Sequence, residues 1–299
     1  MNKNHLIIGL GGTGGKVIRN LRKTIYRDCR DTSPQGAKLD YLYIDSSSEM
    51  MGVDDPDWKV LGENLQLNLS SQMELKGSDL AERLKNINAY PEIAPWIGEP
   101  QDWNAILNLG SGAKVLGGQK RRLGRFLFAT QAADFKARLR QKISDLTSNA
   151  NASATIHVVC GLAGGTGSGI LIDVISQIRS EYQDSKSYPI ILYLLLPDAH
   201  PKQGWNTGNY HANGYAALME LNALSVGNYM PYDLAGDGNR VVRRKETPDE
   251  KDKPLKDPFK ICYLVSDHNS NGLKFDVDKE VPDQMAELIY QKLIAEAHE

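Results

Sequence analysis

Short apolar runs alternate with longer amphipathic stretches along most of this 299-residue chain. Five apolar runs each predict a buried strand: residues 5–9, 39–44, 155–160, 189–196 and 261–265. The fourth run is nearly continuous Ile, Leu and Tyr, a composition typical of a strand covered on both faces. This alternation predicts an α/β fold with a doubly wound, mainly parallel Rossmann-like sheet and helices on both faces.

Helices are predicted where apolar positions recur at helical spacing. They cover residues 16–27, 78–87, 170–182, 213–226 and 283–297, with one or two more within 117–146. Two stretches lack this regularity. An irregular insertion of long loops and short helices is expected at about 51–104, and a charged, proline-containing insertion at about 236–258. We expect the whole chain, 1–299, to form one domain.

Composition narrows the classes of function. The formal net charge of -2 gives no electrostatic case for binding nucleic acid, so no nucleic-acid partner is expected. The three cysteines are widely spaced and indicate neither a disulfide framework nor a zinc site. No run approaches the roughly 20 apolar residues of a membrane span. These features, together with the lack of a signal-peptide pattern, predict a cytoplasmic protein.

The first glycine-rich loop follows the first predicted strand and consists of Gly11, Gly12, Thr13, Gly14 and Gly15. A loop between a strand and a helix presents backbone amides to an anion, and glycine allows a phosphate to approach closely. The spacing also fits the GxGxxG pattern of dinucleotide and adenylating enzymes, so this loop alone is weak evidence for any one class of nucleotide-binding protein. It does not fit a Walker A loop, because Leu10 and Val17 occupy two of that motif's defining positions.

The second loop carries more information. Gly164, Gly165, Thr166, Gly167, Ser168 and Gly169 again join a predicted strand to a predicted helix. This segment resembles the GGGTGSG signature of the tubulin/FtsZ family, differing at Ala163. Other segments resemble that family in the expected order, and the helix at 213–221 is most similar to a bacterial tubulin-like branch. The resemblance implies a tubulin/FtsZ-type nucleotide-binding domain that holds GTP or GDP with Mg²⁺.

The resemblance also implies further contacts with the nucleotide. Asp45 and Ser46 would approach the β- and γ-phosphates, with Asp45 as the protein ligand of magnesium. The stretch containing Gly110, Ser111, Gly112 and Ala113 is similar to the loop that senses the γ-phosphate, and the cations Lys114, Lys120, Arg121, Arg122 and Arg125 follow it. Pro197 and Asn213 match the turn and helix near the ribose. Asn269, with Asp267 and Asn271, is a candidate for base contacts after the last strand.

The chain also departs from the family pattern. The family's second domain and the acidic loop that completes hydrolysis in a neighbouring subunit are expected to be absent, so no catalytic residue is assigned. The expected partner is a second copy in a head-to-tail filament. Two alternatives stay open: an adenylating or NAD-dependent enzyme, and a nucleotide-regulated scaffold that does not hydrolyse GTP. The dinucleotide alternative expects an acid about 20 residues past the glycines, whereas Asp45 lies about 30 beyond Gly14.

Overall fold

A computed structural model of the chain describes residues 4–51, 55–77, 79–103, 119–148, 153–236, 238–245 and 247–298. Its strands are β1 (Asn4–Leu10), β2 (Lys38–Asp45), β3 (Lys59–Val60), β4 (Glu63–Asn64), β5 (Gln72–Glu74), β6 (Thr155–Gly161), β7 (Ile190–Leu195) and β8 (Ile261–Val265). Its α-helices are α1 (Gly11–Cys29), α2 (Leu80–Lys85), α3 (Ala94–Ile97), α4 (Arg121–Ala129), α5 (Ala132–Leu146), α6 (Thr166–Glu181), α7 (Tyr210–Ser225) and α8 (Glu280–His298).

Six strands form one parallel sheet in the order β5-β2-β1-β6-β7-β8. From β1 the chain moves outwards through β2 to β5, and from β6 it moves in the opposite direction through β7 to β8. The order therefore reverses between β1 and β6. In open α/β sheets, ligands bind beyond the carboxyl ends of the strands at such a reversal. The doubly wound α/β prediction is confirmed.

Two separate hydrophobic layers cover the sheet because successive side chains of a strand point to opposite faces. Leu6 and Ile8 of β1 pack into the layer under α4, α5, α6 and α7. Ile7, between them, packs into the layer under α1 and α8. Helices thus lie on both faces and cover the inner strands from both sides, whereas Leu264 of the edge strand β8 is 53% exposed.

The two stretches without clear periodicity contain little regular structure in the residues described. Within 55–103 there are a two-stranded antiparallel pair, short helices and the three-residue strand β5, which joins the edge of the main sheet. The segment around 240–253 contains no helix or strand in its described part, and Arg243 N donates to Lys253 O at 2.9 Å. None of the helices described is both long and apolar enough to cross a bilayer.

Candidate functional site

The two glycine-rich loops lie side by side at the carboxyl edge of the sheet. β1 and β6 are neighbours, with Leu10 in register with Cys160, so the loops that follow them leave the sheet together. Each loop passes directly into a helix: α1 begins at Gly11 and α6 begins at Thr166. Because the first amides of a helix have no partner within it, two sets of amide donors and two helix dipoles meet at this point.

Close packing between the loops requires glycine. A Cβ on Gly167 would lie 2.6 Å from the Leu10 carbonyl oxygen, a distance that side chains do not tolerate. Gly11 has a φ of +67°, in the left-handed region that favours glycine, and a Cβ there would lie 3.0 Å from Gly167 N. The motif glycines thus bring the two turns into contact with each other.

A cavity of 190 Å³ opens between the two loops. Gly12 and Gly164 have open space where a side chain would be. The cavity is lined by Leu10, Gly11, Gly12, Thr13, Asp45, Gly161, Gly164, Gly165, Thr166 and Gly167. Such a wall of backbone amides, with the amino ends of two helices beside it, can bind the oxygens of a phosphate chain.

Asp45 supplies the carboxylate in this cavity, at the end of β2. Its Oδ2 accepts a hydrogen bond from the Tyr43 hydroxyl at 2.9 Å, and its Oδ1 accepts one from the Ser46 amide at 2.7 Å. Burial raises the pKa of Asp45 above its ordinary value, and these hydrogen bonds partly offset the effect. The Ser46 and Thr166 hydroxyls lie 2.6 Å apart, which joins the end of β2 to the second glycine loop.

These oxygen groups fit a magnesium ion held mainly by phosphate and water. No group of three or more His, Cys, Asp or Glu side chains suited to a metal occurs among the residues described. Magnesium bound with a nucleotide needs no such cage, because it keeps several waters and takes one or two protein oxygens. Among the described residues that line this cavity, the Asp45 carboxylate is the one acidic group that could contribute an oxygen to the ion, which would offset the unfavourable burial of its charge.

A second cavity of 290 Å³ continues from the first and shares Gly12, Thr13, Gly161 and Gly164 with it. Most of its other lining residues are apolar or aromatic: Leu162, Ala163, Leu195, Leu196, Trp205, Tyr210 and Val277. The polar ones are Lys16, Gln119 and Asp278. Lys16 Nζ and Asp278 Oδ1 form an ion pair in this wall. A mostly apolar slot with a few polar groups is typical of a site for a flat heterocyclic ring.

Hydrogen bonds at the start of α8 fix the position of Asp278. Asp276 Oδ1 accepts from the Asp278 amide at 2.8 Å, and Glu280 Oε2 accepts from the Asp276 amide at 2.7 Å. This reciprocal arrangement satisfies amides that would otherwise have no partner at a helix terminus. Val277 and Asp278 are thereby held at the rim of the second cavity, which we call the base slot after the role that we propose for it.

Several predicted site residues support the loops without lining either cavity. A Cβ on Gly14 would lie within 3 Å of the backbone of Gly9, and one on Gly15 would meet the Tyr43 ring, so both glycines serve packing. Ser168 is fully buried, and its hydroxyl accepts a hydrogen bond from Arg121 Nε at 2.9 Å.

The predicted ribose and base residues also lie outside the two cavities. The Asn213 amide donates to the carbonyls of Ala163 and Gly164 at 3.0 and 3.2 Å, and thus stabilises the second glycine loop from behind. Pro197 packs against Gly214 of α7. Asn269 lies in an exposed turn, where its Oδ1 accepts the amides of residues 271 and 273. Gly110, Ser111, Gly112 and Ala113, with Lys114, lie outside the described residues.

Two cations predicted near the γ-phosphate are paired with acids. Arg121 contacts Glu220 of α7 at 3.0 Å through Nη1. Arg125 makes two hydrogen bonds of 2.9 Å to Asp173, whose side chain is buried, and its guanidinium lies over the Trp96 ring. These pairs hold α4 against α6 and α7, so their charge is largely neutralised within the protein.

Sequence reasoning missed the residues that form the base slot. None of the missed residues lies in a glycine motif: Trp205, Val277 and Asp278 come from loops, Tyr210 begins α7, and Gln119 lies just before the start of α4. The available signal was the sequence Asp276-Val-Asp-Lys-Glu280, whose acids mark a helix start. It places Asp278 just before the last helix, nine residues after Asn269.

Comparison with known proteins agrees with this geometry. The profile of the family described as "Tubulin like" matches residues 6–299. The chain belongs to this tubulin-like family. No curated protein sequence matches the chain.

Solved structures with the tubulin-like fold cover nearly all of the chain. CetZ from Methanosaeta thermophila strain DSM 6194 is 13% identical with a TM-score of 0.50, and the match covers 99% of this chain and 54% of CetZ. CetZ2 from Haloferax volcanii, solved as a GTPγS-bound protofilament, is 16% identical with a TM-score of 0.50, covering 99% of this chain and 59% of CetZ2. The chain thus spans a little over half the length of these two proteins.

Proposed function

We propose that this chain binds GTP and GDP with Mg²⁺ and assembles with copies of itself in a nucleotide-dependent way. One observation carries the proposal: an amide-lined cavity for phosphates opens directly into an apolar slot with a carboxylate at its rim. Membership of the tubulin-like family and the likeness to a GTPγS-bound protofilament of CetZ2 support it.

The phosphate half supplies affinity through backbone amides. A hydrogen bond to a charged group contributes roughly 1.5 to 3 kcal/mol. A few such bonds from the two glycine loops can outweigh the cost of association and reach the roughly 8 kcal/mol of micromolar binding. No lysine of the P-loop type is required. Asp45 and the phosphate oxygens would hold magnesium, which neutralises charge on the phosphates.

The base half favours guanine through Asp278. Its carboxylate has two acceptor oxygens and no donor. The edge of guanine presents two adjacent donors, the N1 hydrogen and the 2-amino group, whereas adenine presents an acceptor at N1. The ion pair with Lys16 fixes one oxygen of this carboxylate at the rim. Trp205 and Tyr210 supply aromatic surface in the slot.

Self-assembly would place a second copy against the cavity face. The tubulin resemblance implies that acids from a neighbouring subunit activate the attacking water, so we assign no catalytic residue within this chain. Positioning and charge stabilisation are the main requirements of phosphoryl transfer. We therefore expect the dilute chain to bind GTP while turning it over slowly.

The test compares two substitutions in α1. Gly12→Ala places a methyl group where the phosphate cavity is open. Asn20→Ala introduces an alanine further along the same helix, outside both cavities. Alanine has a higher helix propensity than either residue, so neither variant should unfold at a lower temperature than the wild type. We expect labelled GTP to bind Gly12→Ala at least about tenfold more weakly and Asn20→Ala normally, because only the first methyl group crowds the amides.

Competition with ATP and NAD separates the enzyme alternative from the proposal. A wild-type chain that prefers ATP or NAD to GTP would contradict guanine specificity, and normal GTP binding by Gly12→Ala would contradict the location of the phosphates. Light scattering with GTP and with a slowly hydrolysed analogue tests assembly. Equal scattering with and without nucleotide would argue against nucleotide-dependent assembly.

A further inference from the structure

Two neighbouring loops form the outer wall of the base slot. The β7–α7 loop (residues 196–209), with the start of α7, contributes Trp205 and Tyr210, and the β8–α8 loop (residues 266–279) contributes Val277 and Asp278. β7 and β8 are paired in parallel at the edge of the sheet, so these loops leave it side by side. The width of the slot therefore depends on what holds one loop to the other.

Two lysines join these loops through ion pairs: Lys202 contacts the partly exposed Asp276 at 3.0 Å, and Lys274 contacts two buried carboxylates. Asp198 and Asp267 are each 3% exposed. Lys274 Nζ lies 3.2 Å from Asp198 Oδ1 and 3.7 Å from Asp267 Oδ2. Burying two like charges near each other is costly unless a cation compensates them. We call the contacts of Lys274 with these two carboxylates the lysine clasp.

In the β7–α7 loop, Asp198 connects the clasp to the slot. The backbone amide of Asp198 donates to the Tyr210 hydroxyl at 3.2 Å, and Tyr210 lines the slot. The His211 ring nitrogen Nε2 lies 2.9 Å from the Asp198 carbonyl oxygen, and Asp198 Oδ1 accepts the His200 amide at 2.7 Å. A shift of Asp198 would therefore move the aromatic wall.

In the β8–α8 loop, the backbone connects the clasp to the slot. The β8–α8 loop turns back on itself, with a bridge between His268 and Lys274 and a 2.7 Å bond from the Phe275 amide to the Asp267 carbonyl. Lys274 is three residues before Val277 and four before Asp278. The lysine thus fixes the short segment that carries the carboxylate of the slot.

We propose that Lys274 is a positioning residue for the nucleotide base: by bridging Asp198 and Asp267 it sets the distance between the aromatic wall and Asp278. The inference rests on the proposed function, since it assigns a determinant of guanine affinity to the same site. Without the ammonium group, the bridge between the two loops is lost and the wall would open.

Loss of the Lys274 ammonium group should not alter the cavity between the two glycine loops. None of its lining residues belongs to either loop of the wall. Loss of the clasp should therefore weaken binding of the whole nucleotide while leaving binding of a bare phosphate chain intact. A general loss of folding would weaken both, so the two ligands separate a positioning role from a purely structural one.

The experiment measures displacement of radiolabelled GTP by unlabelled GDP and by inorganic tripolyphosphate. Lys274→Met is compared with the wild type, with Lys274→Arg and with Lys245→Met, which removes a surface ion pair to Asp252 in another loop. We expect Lys274→Met to bind GDP at least about tenfold more weakly and tripolyphosphate within about twofold of the wild type. A tenfold change corresponds to about 1.4 kcal/mol. Lys274→Arg should restore most of the GDP affinity, and Lys245→Met should match the wild type.

A double variant covers the case in which Lys274→Met unfolds. Lys274→Met/Asp198→Asn removes the cation and one carboxylate together, so it leaves less uncompensated charge and should keep a thermal midpoint near that of the wild type. It still lacks the bridge, so its GDP affinity should stay low while its tripolyphosphate affinity is retained.

Unchanged GDP binding in a folded variant without the clasp would overturn the inference, as would an equal loss of GDP and tripolyphosphate. A wild-type chain that binds no guanine nucleotide would instead overturn the proposed function, and the inference with it. The two failures are distinguishable because only the second appears in the wild type.

Discussion

A pair of buried histidines makes the stability of this fold depend on pH. His5 of β1 and His157 of β6 are 1% and 0% exposed, and His5 Nδ1 lies 3.1 Å from His157 Nε2. His157 Nδ1 lies 3.2 Å from the Tyr193 hydroxyl. Burial lowers the pKa of His5 from 6.5 to about 4 and lowers the pKa of His157 well below its ordinary value. Both rings are therefore neutral in the folded protein at neutral pH.

The sign of the effect follows from proton binding. Between pH 6.5 and about 4 the unfolded chain holds a proton on His5 that the folded chain excludes, so the free energy of unfolding falls as the pH falls. At pH 5, about 1.5 pH units below the unfolded pKa, His5 alone accounts for a loss of about 2 kcal/mol. His157 adds a loss of the same sign. Above about pH 7 neither ring contributes to the pH dependence.

Urea unfolding at about pH 7.5, 6 and 5 measures this loss. The double variant His5→Gln/His157→Gln keeps polar groups at both positions but does not titrate, so we expect it to lose at least about 2 kcal/mol of the wild-type pH dependence. A lower stability of the double variant at every pH does not affect the test, because the quantity compared is the change of the free energy of unfolding with pH. His200→Gln, which replaces an exposed histidine, is the control and should keep the wild-type slope. A double variant with the full wild-type slope would refute the assignment.

Two further substitutions test the packing around the site. Asp173→Asn leaves the Arg125 guanidinium without its buried partner, so we expect the free energy of unfolding in urea to fall by about 3 to 5 kcal/mol. Asp134→Asn, at an exposed ion pair, is the control and should lower it by less than about 1 kcal/mol. Equal losses would contradict the buried-pair argument. Gly167→Ala would place a methyl group 2.6 Å from the Leu10 carbonyl oxygen, and we expect thermal unfolding to show a loss of at least about 2 kcal/mol together with lost GTP binding. A stable Gly167→Ala variant would contradict the contact between the two loops.

The sheet was largely predictable from the sequence because its inner strands are covered on both faces. A strand such as β7 must be apolar at every position, which marks it clearly in the sequence. β5 was missed because it has only three residues, too few to show a period. The predicted helices at 16–27 and 170–182 start earlier in the structure, at Gly11 and Thr166. Glycine has a low helix propensity, so these first turns are stabilised by packing between the loops, which a propensity argument does not include.

The phosphate cavity was predictable in part, and the base slot was not. Each glycine loop is a continuous motif after a recognisable strand, so the position of this cavity at the sheet edge follows from local sequence alone. The slot instead joins Lys16 of α1 to Trp205, Tyr210 and Asp278, which are far apart in the chain and have ordinary neighbours. The prediction of Asn269 was closest to this region, but the turn that contains Asn269 uses its side chain internally and orients Lys274 towards Asp198.

The two halves of the candidate site depend on different physical constraints, and this would determine where the proposed base specificity resides. The phosphate cavity follows from topology: β1 and β6 are neighbours at the reversal of the sheet, and glycine allows their loops to touch. Its backbone donors would accept any phosphate chain. The slot depends on side chains from loops beyond β7 and β8, held by the charge balance around Lys274. Substitutions in those loops should therefore change which base is bound without changing the fold, whereas substitutions of the motif glycines at the loop contact should affect both.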